Sequence, residues 1–168
     1  DIDGSRTGAA NFNGAASPNN QNFSANDSSL PSLTNSRSYG VWFKIKDGSA
    51  QRGLIAWGSA AVASRVFIFT LTGGAICFED GVSYLAGPNV SDGLWHLAIG
   101  VQDNSAADGL KTKGYLDGSL VASGVNISSV TLGGANAFRV GGIDGTTNLM
   151  LGQIAGAFVT NYAMTAED

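Results

Sequence analysis

Short alternating runs closed by two-residue glycine turns recur along most of this chain, and that rhythm leaves little room for anything but β-structure. In 39–46, Tyr39, Val41, Phe43 and Ile45 fall on one face and Trp42, Lys44 and Lys46 on the other. Period two over that length predicts a half-buried strand. Asp47-Gly48, Gly73-Gly74, Asp80-Gly81 and Asp117-Gly118 stand where such strands must turn back. The run 65–71 (RVFIFTL) is apolar on both faces and predicts a central strand covered on both sides. Further strands are expected at 54–57, 75–79, 94–102, 113–116, 120–123, 125–132, 138–140 and 154–160. In 94–102, Trp95, Leu97, Ile99 and Val101 read as the core face, and His96, Ala98, Gly100 and Gln102 as the exposed or concave one. Strands at about ten-residue intervals with glycine turns predict an antiparallel sandwich.

Residues 1–38 break the rhythm. They are polar and rich in turn signals, with strand-like pieces only at 9–12 and around Phe23. They are expected to wrap the sandwich as an edge strand and a long loop. A short turn is expected at 165–168. The 168 residues suit one domain, 1–168, and 43% hydrophobic content is enough to fill its core.

Charge excludes some functions. Only 13% of residues are charged and the net charge is -4. A nucleic-acid partner would call for a clustered basic face, which nine scattered Lys and Arg do not make. No run of 18 apolar residues occurs, so membrane insertion by a helix is not expected. Cys77, alone between Ile76 and Phe78, reads as a small buried side chain. The chain opens at Asp1 with neither a leader-like segment nor an initiator Met, so the true N-terminus is expected to have been removed or to lie upstream.

Four motifs in order carry a resemblance. Asp92-Gly93-Leu94-Trp95-His96 is similar to a D-G-x-W-H strand opening, and Tyr115-Leu116-Asp117-Gly118 to a Y-x-D-G hairpin. Phe138-Arg139-Val140-Gly141-Gly142 is similar to an x-I-G-G strand, and 152–167 (GQIAGAFVTNYAMTAE) to a closing strand ending in Y-N-x-A-L-T-x-E. Together they resemble the laminin-G-like and pentraxin-like branch of the concanavalin A-like jelly rolls. The resemblance implies an all-β, two-sheet antiparallel jelly-roll sandwich and places His96 as a fold residue. It also implies a calcium site at the rim, with Asp103 after the W-H strand and Asp144 and Asn148 from a later loop as ligands, since the ion wants hard oxygens. Ala155 and Gly156 stand where relatives carry acidic residues, so a second, structural calcium there is not implied.

Catalysis is not expected. A glycosidase of this fold needs two carboxylates a few ångströms apart, yet the chain has two Glu, Glu79 and Glu167, in no such pattern. A lyase or a Ser/His/Asp triad would have to use His96, the single histidine. Binding is the better expectation. Sugar sites stack pyranose faces on aromatic rings while Asn and Asp fix hydroxyls, which selects Trp42, Trp57 and Tyr84 with Asn89, Asn104 and Asp108. Loops 58–64, 81–91, 103–110 and 143–148 would form the rim. The leading expectation is a non-catalytic module that recognises a glycan or surface polysaccharide at an extracellular or virion surface. The alternative is an assembly domain of a bacteriophage tail, fibre or capsid decoration that binds other subunits.

Overall fold

The structure, a computed structural model, describes residues 8–14, 22–58, 64–107, 110–132, 138–143, 148–165 and 167–168. Twelve strands occur among the described residues: β1 (Ala10–Asn13), β2 (Phe23–Ala25), β3 (Arg37–Lys44), β4 (Arg52–Gly58), β5 (Arg65–Thr70), β6 (Ala75–Glu79), β7 (Tyr84–Asn89), β8 (Trp95–Gln102), β9 (Thr112–Leu116), β10 (Ser119–Gly124), β11 (Phe138–Val140) and β12 (Leu151–Thr160). They form two six-stranded antiparallel sheets. The first runs β1-β12-β3-β8-β9-β10 and the second β2-β11-β4-β5-β6-β7. This is the jelly-roll sandwich that the sequence predicts. No helix among the described residues is long and apolar enough to cross a membrane.

Both sheets feed one core. Tyr39, Val41 and Phe43 of β3 meet Leu54, Ile55 and Trp57 of β4, Val66 and Ile68 of β5, and Ile76 and Phe78 of β6. Tyr39 and Trp57 pack edge to face at 5.2 Å. Burying a Phe, Ile or Leu side chain is worth about 1.5–3 kcal/mol, so this cluster dominates the stability.

The wrapping segment supplies two edge strands, one to each sheet. β1 pairs with β12 and β2 with β11. Its last stretch is held by Arg37, which is fully buried. The guanidinium donates to the carbonyls of Asn35 (2.8 Å), Leu33 (2.5 Å) and Ser128 (3.3 Å). Burial lowers its pKa to about 10, offset in part by Tyr39, so it remains a cation at neutral pH. Beside it Leu33 bridges to Val130.

Three expectations need correction. Within 125–132 Val130 makes an isolated bridge to Leu33, and the rest is irregular. Conversely, β7 forms within 81–91, where the sequence predicts a rim loop, and it includes Gly87 and Pro88. It lies at the edge of its sheet, where a residue without an N–H is tolerated.

The third correction is the direction of β8. Its pairing with β3 sets Tyr39 opposite Gly100, Val41 opposite Ala98 and Phe43 opposite His96. His96, Ala98, Gly100 and Gln102 therefore face the interior, and Trp95, Leu97, Ile99 and Val101 face outward. Size is the reason. A Cβ on Gly100 would stand 2.3 Å from the Tyr39 ring, and one on Gly114 of β9 would stand 2.3 Å from the ring of Phe78 in the opposite sheet. Large aromatics from β3 and β6 occupy the space, so β8 and β9 must present small side chains to them.

Candidate functional site

The residues singled out from the sequence have different fates. Trp57 is only 1% exposed; its indole packs on Tyr39 and donates to the Pro31 carbonyl at 3.3 Å. It is a core residue and offers no face to a ligand. Asn89 buckles a turn: Nδ2 donates to the Gly73 carbonyl and Oδ1 accepts from Ser91 N and Oγ, both 2.8 Å. Asn104 is exposed, and its N–H is held by Ser36 Oγ at 3.0 Å. Asp108 and Asp144 lie outside the described residues.

Asp103 and Asn148 do not come together. Asp103 follows Gln102, the partner of Arg37 at the start of β3. Asn148 precedes β12, whose Gln153 pairs with Lys44 at the other end of β3, and the Asn148 carbonyl accepts from Gly53 N at 2.7 Å. Seven residue steps at about 3.3 Å put roughly 23 Å between those ends. The two cannot ligate one ion. Asp103 instead closes its own turn, accepting from Ser105 N (2.9 Å) and Oγ (2.6 Å). Those bonds hold its carboxyl below the usual range, led by the Ser105 hydroxyl. Among the described residues no three His, Cys, Asp or Glu gather in a metal-binding group.

His96 joins two of the motifs. Its Nδ1 lies 2.8 Å from Asp117 Oδ2 and its Nε2 3.1 Å from Asp92 Oδ1. Asp117 also accepts from Leu97 N at 2.9 Å. It sits at φ 50 in a two-residue turn completed by Gly118 at φ 81, which is the hairpin expected of Asp-Gly. Burial opposes a charge on the imidazole, but bonds to Asp117 and Asp92 outweigh it and raise the pKa. Only the imidazolium donates from both nitrogens at once. The stabilisation is thus complete below the unfolded pKa, near 6.5, and fades as pH rises through the raised folded value. Asp117→Asn keeps the turn and loses the charge. It is expected to destabilise by about 1 kcal/mol at pH 5.5, a solvent-screened charged hydrogen bond, and by much less at pH 8.5. Urea unfolding at the two pH values checks the sign.

The outer face of the second sheet carries a cleft of about 510 Å³, within the usual size range of small-ligand sites. Arg65, Phe67, Phe69 and Leu71 alternate outward along β5 and its end, and Gln51, Glu79, Val82, Ser83 and Tyr84 complete the lining. Phe67 and Phe69 are buried as its floor, edge to face at 6.0 Å. Tyr84, half exposed, packs edge to face on Phe69 at 5.8 Å. Arg65 lies over the Phe67 ring at 4.1 Å, and its Nε donates to both carboxylate oxygens of Glu79, at 3.1 and 3.0 Å. Burial pushes the Glu79 carboxyl up; the Arg65 guanidinium opposes that without cancelling it. Asp80 turns away into its own hairpin, accepting from Ser83 N at 2.7 Å and Val82 N at 3.0 Å. Burial alone would raise its pKa, but bonds from Ser83, Val82 and Asn126 bring it below the ordinary value.

Of the predicted residues that are described, only Tyr84 lines this cleft. Arg65 and Glu79 were missed because fourteen positions separate them and only the β5–β6 pairing brings them together. The alternation Arg65, Phe67, Phe69, Leu71 was the available signal. On the opposite side of the molecule, Leu97, Ile99, Tyr115 and Phe158 form a groove of about 380 Å³ on the outer face of the first sheet. The C-terminal stretch closes one end: Ser38 Oγ donates to the Tyr162 carbonyl (3.1 Å) and accepts from Met164 N (2.7 Å). Trp42 stays open beyond it.

Two six-stranded antiparallel sheets packed around one core define a jelly-roll sandwich. Residues 9–168 match the family model described as the concanavalin A-like lectin/glucanases superfamily, and the chain belongs to that family. Its fold is similar to the CBM40 of the Ruminococcus gnavus IT-sialidase bound to alpha2,3 sialyllactose, with TM-score 0.65 and 14% identity over 95% of this chain and 94% of that one. It is also similar to the heptameric SAP-like pentraxin of Limulus polyphemus (TM-score 0.63, 15% identity, 94% and 77% covered). A third similar structure is mouse laminin alpha1 LG4-5 (TM-score 0.66, 12% identity, 97% and 44% covered). Among curated protein sequences the chain has no match.

Proposed function

We propose that this chain is a non-catalytic glycan-recognition module, displayed outside the cell, that takes a sugar into the cleft on the second sheet. The observation that carries the reading is the pairing of a half-exposed Tyr84, braced on Phe69, with the fixed Arg65–Glu79 ion pair across the same cleft. An aromatic face for C–H groups beside a few oriented polar atoms is what sugar recognition asks for. The similarity to a module solved with sialyllactose supports the same class of ligand. Hydrolysis is disfavoured: among the described residues Glu79 is the one carboxylate lining the cleft, and Arg65 occupies both its oxygens. A retaining or inverting pair needs a second carboxyl across the scissile bond.

A glycan array that includes sialylated and neutral oligosaccharides, followed by titration calorimetry on the hits, tests this. Tyr84→Ala is expected to weaken binding at least tenfold while leaving the unfolding midpoint nearly unchanged. Excess EDTA is expected to leave binding intact, because Asp103 and Asn148 lie at opposite ends of the sandwich. An empty array, or hits indifferent to Tyr84→Ala, would refute the cleft as the site.

A further inference from the structure

Two of the three tryptophans stand in the open, on the sheet opposite the cleft. Trp42 is 43% and Trp95 37% exposed. The β3–β8 register pairs Lys44 with Trp95 and Trp42 with Leu97. The indoles are therefore diagonal neighbours on adjacent strands, with about 7–8 Å between their positions, within reach of one ligand.

What flanks them is polar and in register. The row through Trp95 continues with Lys44, then Gln153 of β12, then Asn11 of β1. Gln153 Nε2 donates to Asn11 Oδ1 at 2.7 Å, which orients both amides. In the next row Trp42 is paired with Gly156 across a bulge in β12. A Cβ built on Gly156 would meet nothing within 4 Å, so the surface paired with Trp42 is open at that position.

We infer that Trp42, Trp95, Lys44, Gln153 and Asn11 form a second binding surface, for an uncharged polysaccharide chain built of pyranose rings. The indoles offer stacking faces, and the amides and ammonium offer donors and acceptors to hydroxyls. From Asn11 to Trp95 the row crosses three inter-strand spacings, about 14 Å, which fits a polymer lying across the strands better than a single sugar. Charge selects the neutral class: Lys44 is the one cation in the row, and a net charge of -4 repels polyanions. A second copy of the chain is a poorer occupant. Burying the amide row in a dimer would require a partner for every amide group, and Leu97, Ile99 and Phe158 alongside it provide none.

Tryptophan emission reads this surface directly, because Trp57, the third tryptophan, is sealed in the core. The purified chain is titrated with mixed-linkage β-glucan, galactomannan and xyloglucan, with heparin as the polyanion. At least one neutral polymer is expected to shift the emission to the blue. Trp42→Ala and Trp95→Ala should each weaken that binding at least tenfold, with urea midpoints close to the parent. Tyr84→Ala should bind the polymer like the parent, which separates this surface from the cleft. The inference is overturned if no neutral polymer moves the emission, if heparin alone does, or if the double Trp variant binds like the parent. Loss of polymer binding in Tyr84→Ala alone would move the polymer to the cleft. A concentration-dependent shift without polymer, matched by a dimer in sedimentation, would give the face to a second copy.

Discussion

Gly114→Ala is expected to destabilise the domain by about 3 kcal/mol, the upper end of the range for an overfilled core. The added methyl would stand 2.3 Å from the Phe78 ring. Phe78 is fully buried, with β5 and β7 paired on either side of its strand, so it has no room to withdraw. Phe78→Leu alone should cost about 1–2 kcal/mol through lost packing. The double variant should be more stable than the sum of the two, because leucine vacates the space that alanine needs. Urea midpoints for the four proteins complete the cycle. Gly114→Ala within 1 kcal/mol of the parent would mean that the sheets are not keyed together by this contact.

Arg37→Ala is expected to cost at least about 3 kcal/mol, from a different cause. Removing the guanidinium strips its bonds from the carbonyls of Leu33, Asn35 and Ser128; Leu33 keeps the Val130 N–H at 2.9 Å, and a buried acceptor left bare costs about 1–3 kcal/mol. Arg37→Lys should recover little, since one ammonium cannot span three acceptors that the planar fork reaches. The damage should also be local at first. Residues 28–36 lose their clamp, so brief chymotrypsin digestion should produce a new cut after Leu33 at denaturant levels where the parent stays whole. Unchanged digestion together with an unchanged midpoint would argue that the segment is held by other contacts.

Local signals could be read in the sequence and non-local ones could not. Most strand positions were legible, because period-two alternation and Asp-Gly pairs are local signals: Asp117-Gly118 turns where expected. Which face of a strand looks inward was not local. In β8 the bulky face, Trp95 to Val101, resembles a core and lies outside, while Gly100 and Ala98 lie inside. Only the partners, Tyr39 and Val41, reveal that the inner face has to be small. The same limit applied to Trp57, which ends a strand beside a loop and yet is sealed under Pro31. Tyr84 was legible as an exposed aromatic. The ion pair that accompanies it, Arg65 with Glu79, depends on strand pairing that no motif announces.

The inward glycines of β8 and β9 also bear on how such a domain can diversify. Gly100 and Gly114 are fixed by the rings that fill the space over them, whereas Trp42, Lys44 and Leu120 point away from the interior. A lineage, or a library, could exchange whole outer faces without disturbing the interlock of the sheets. Specificity would then drift quickly over an almost unchanging frame, and two such domains with the same interior could share very little of what they recognise.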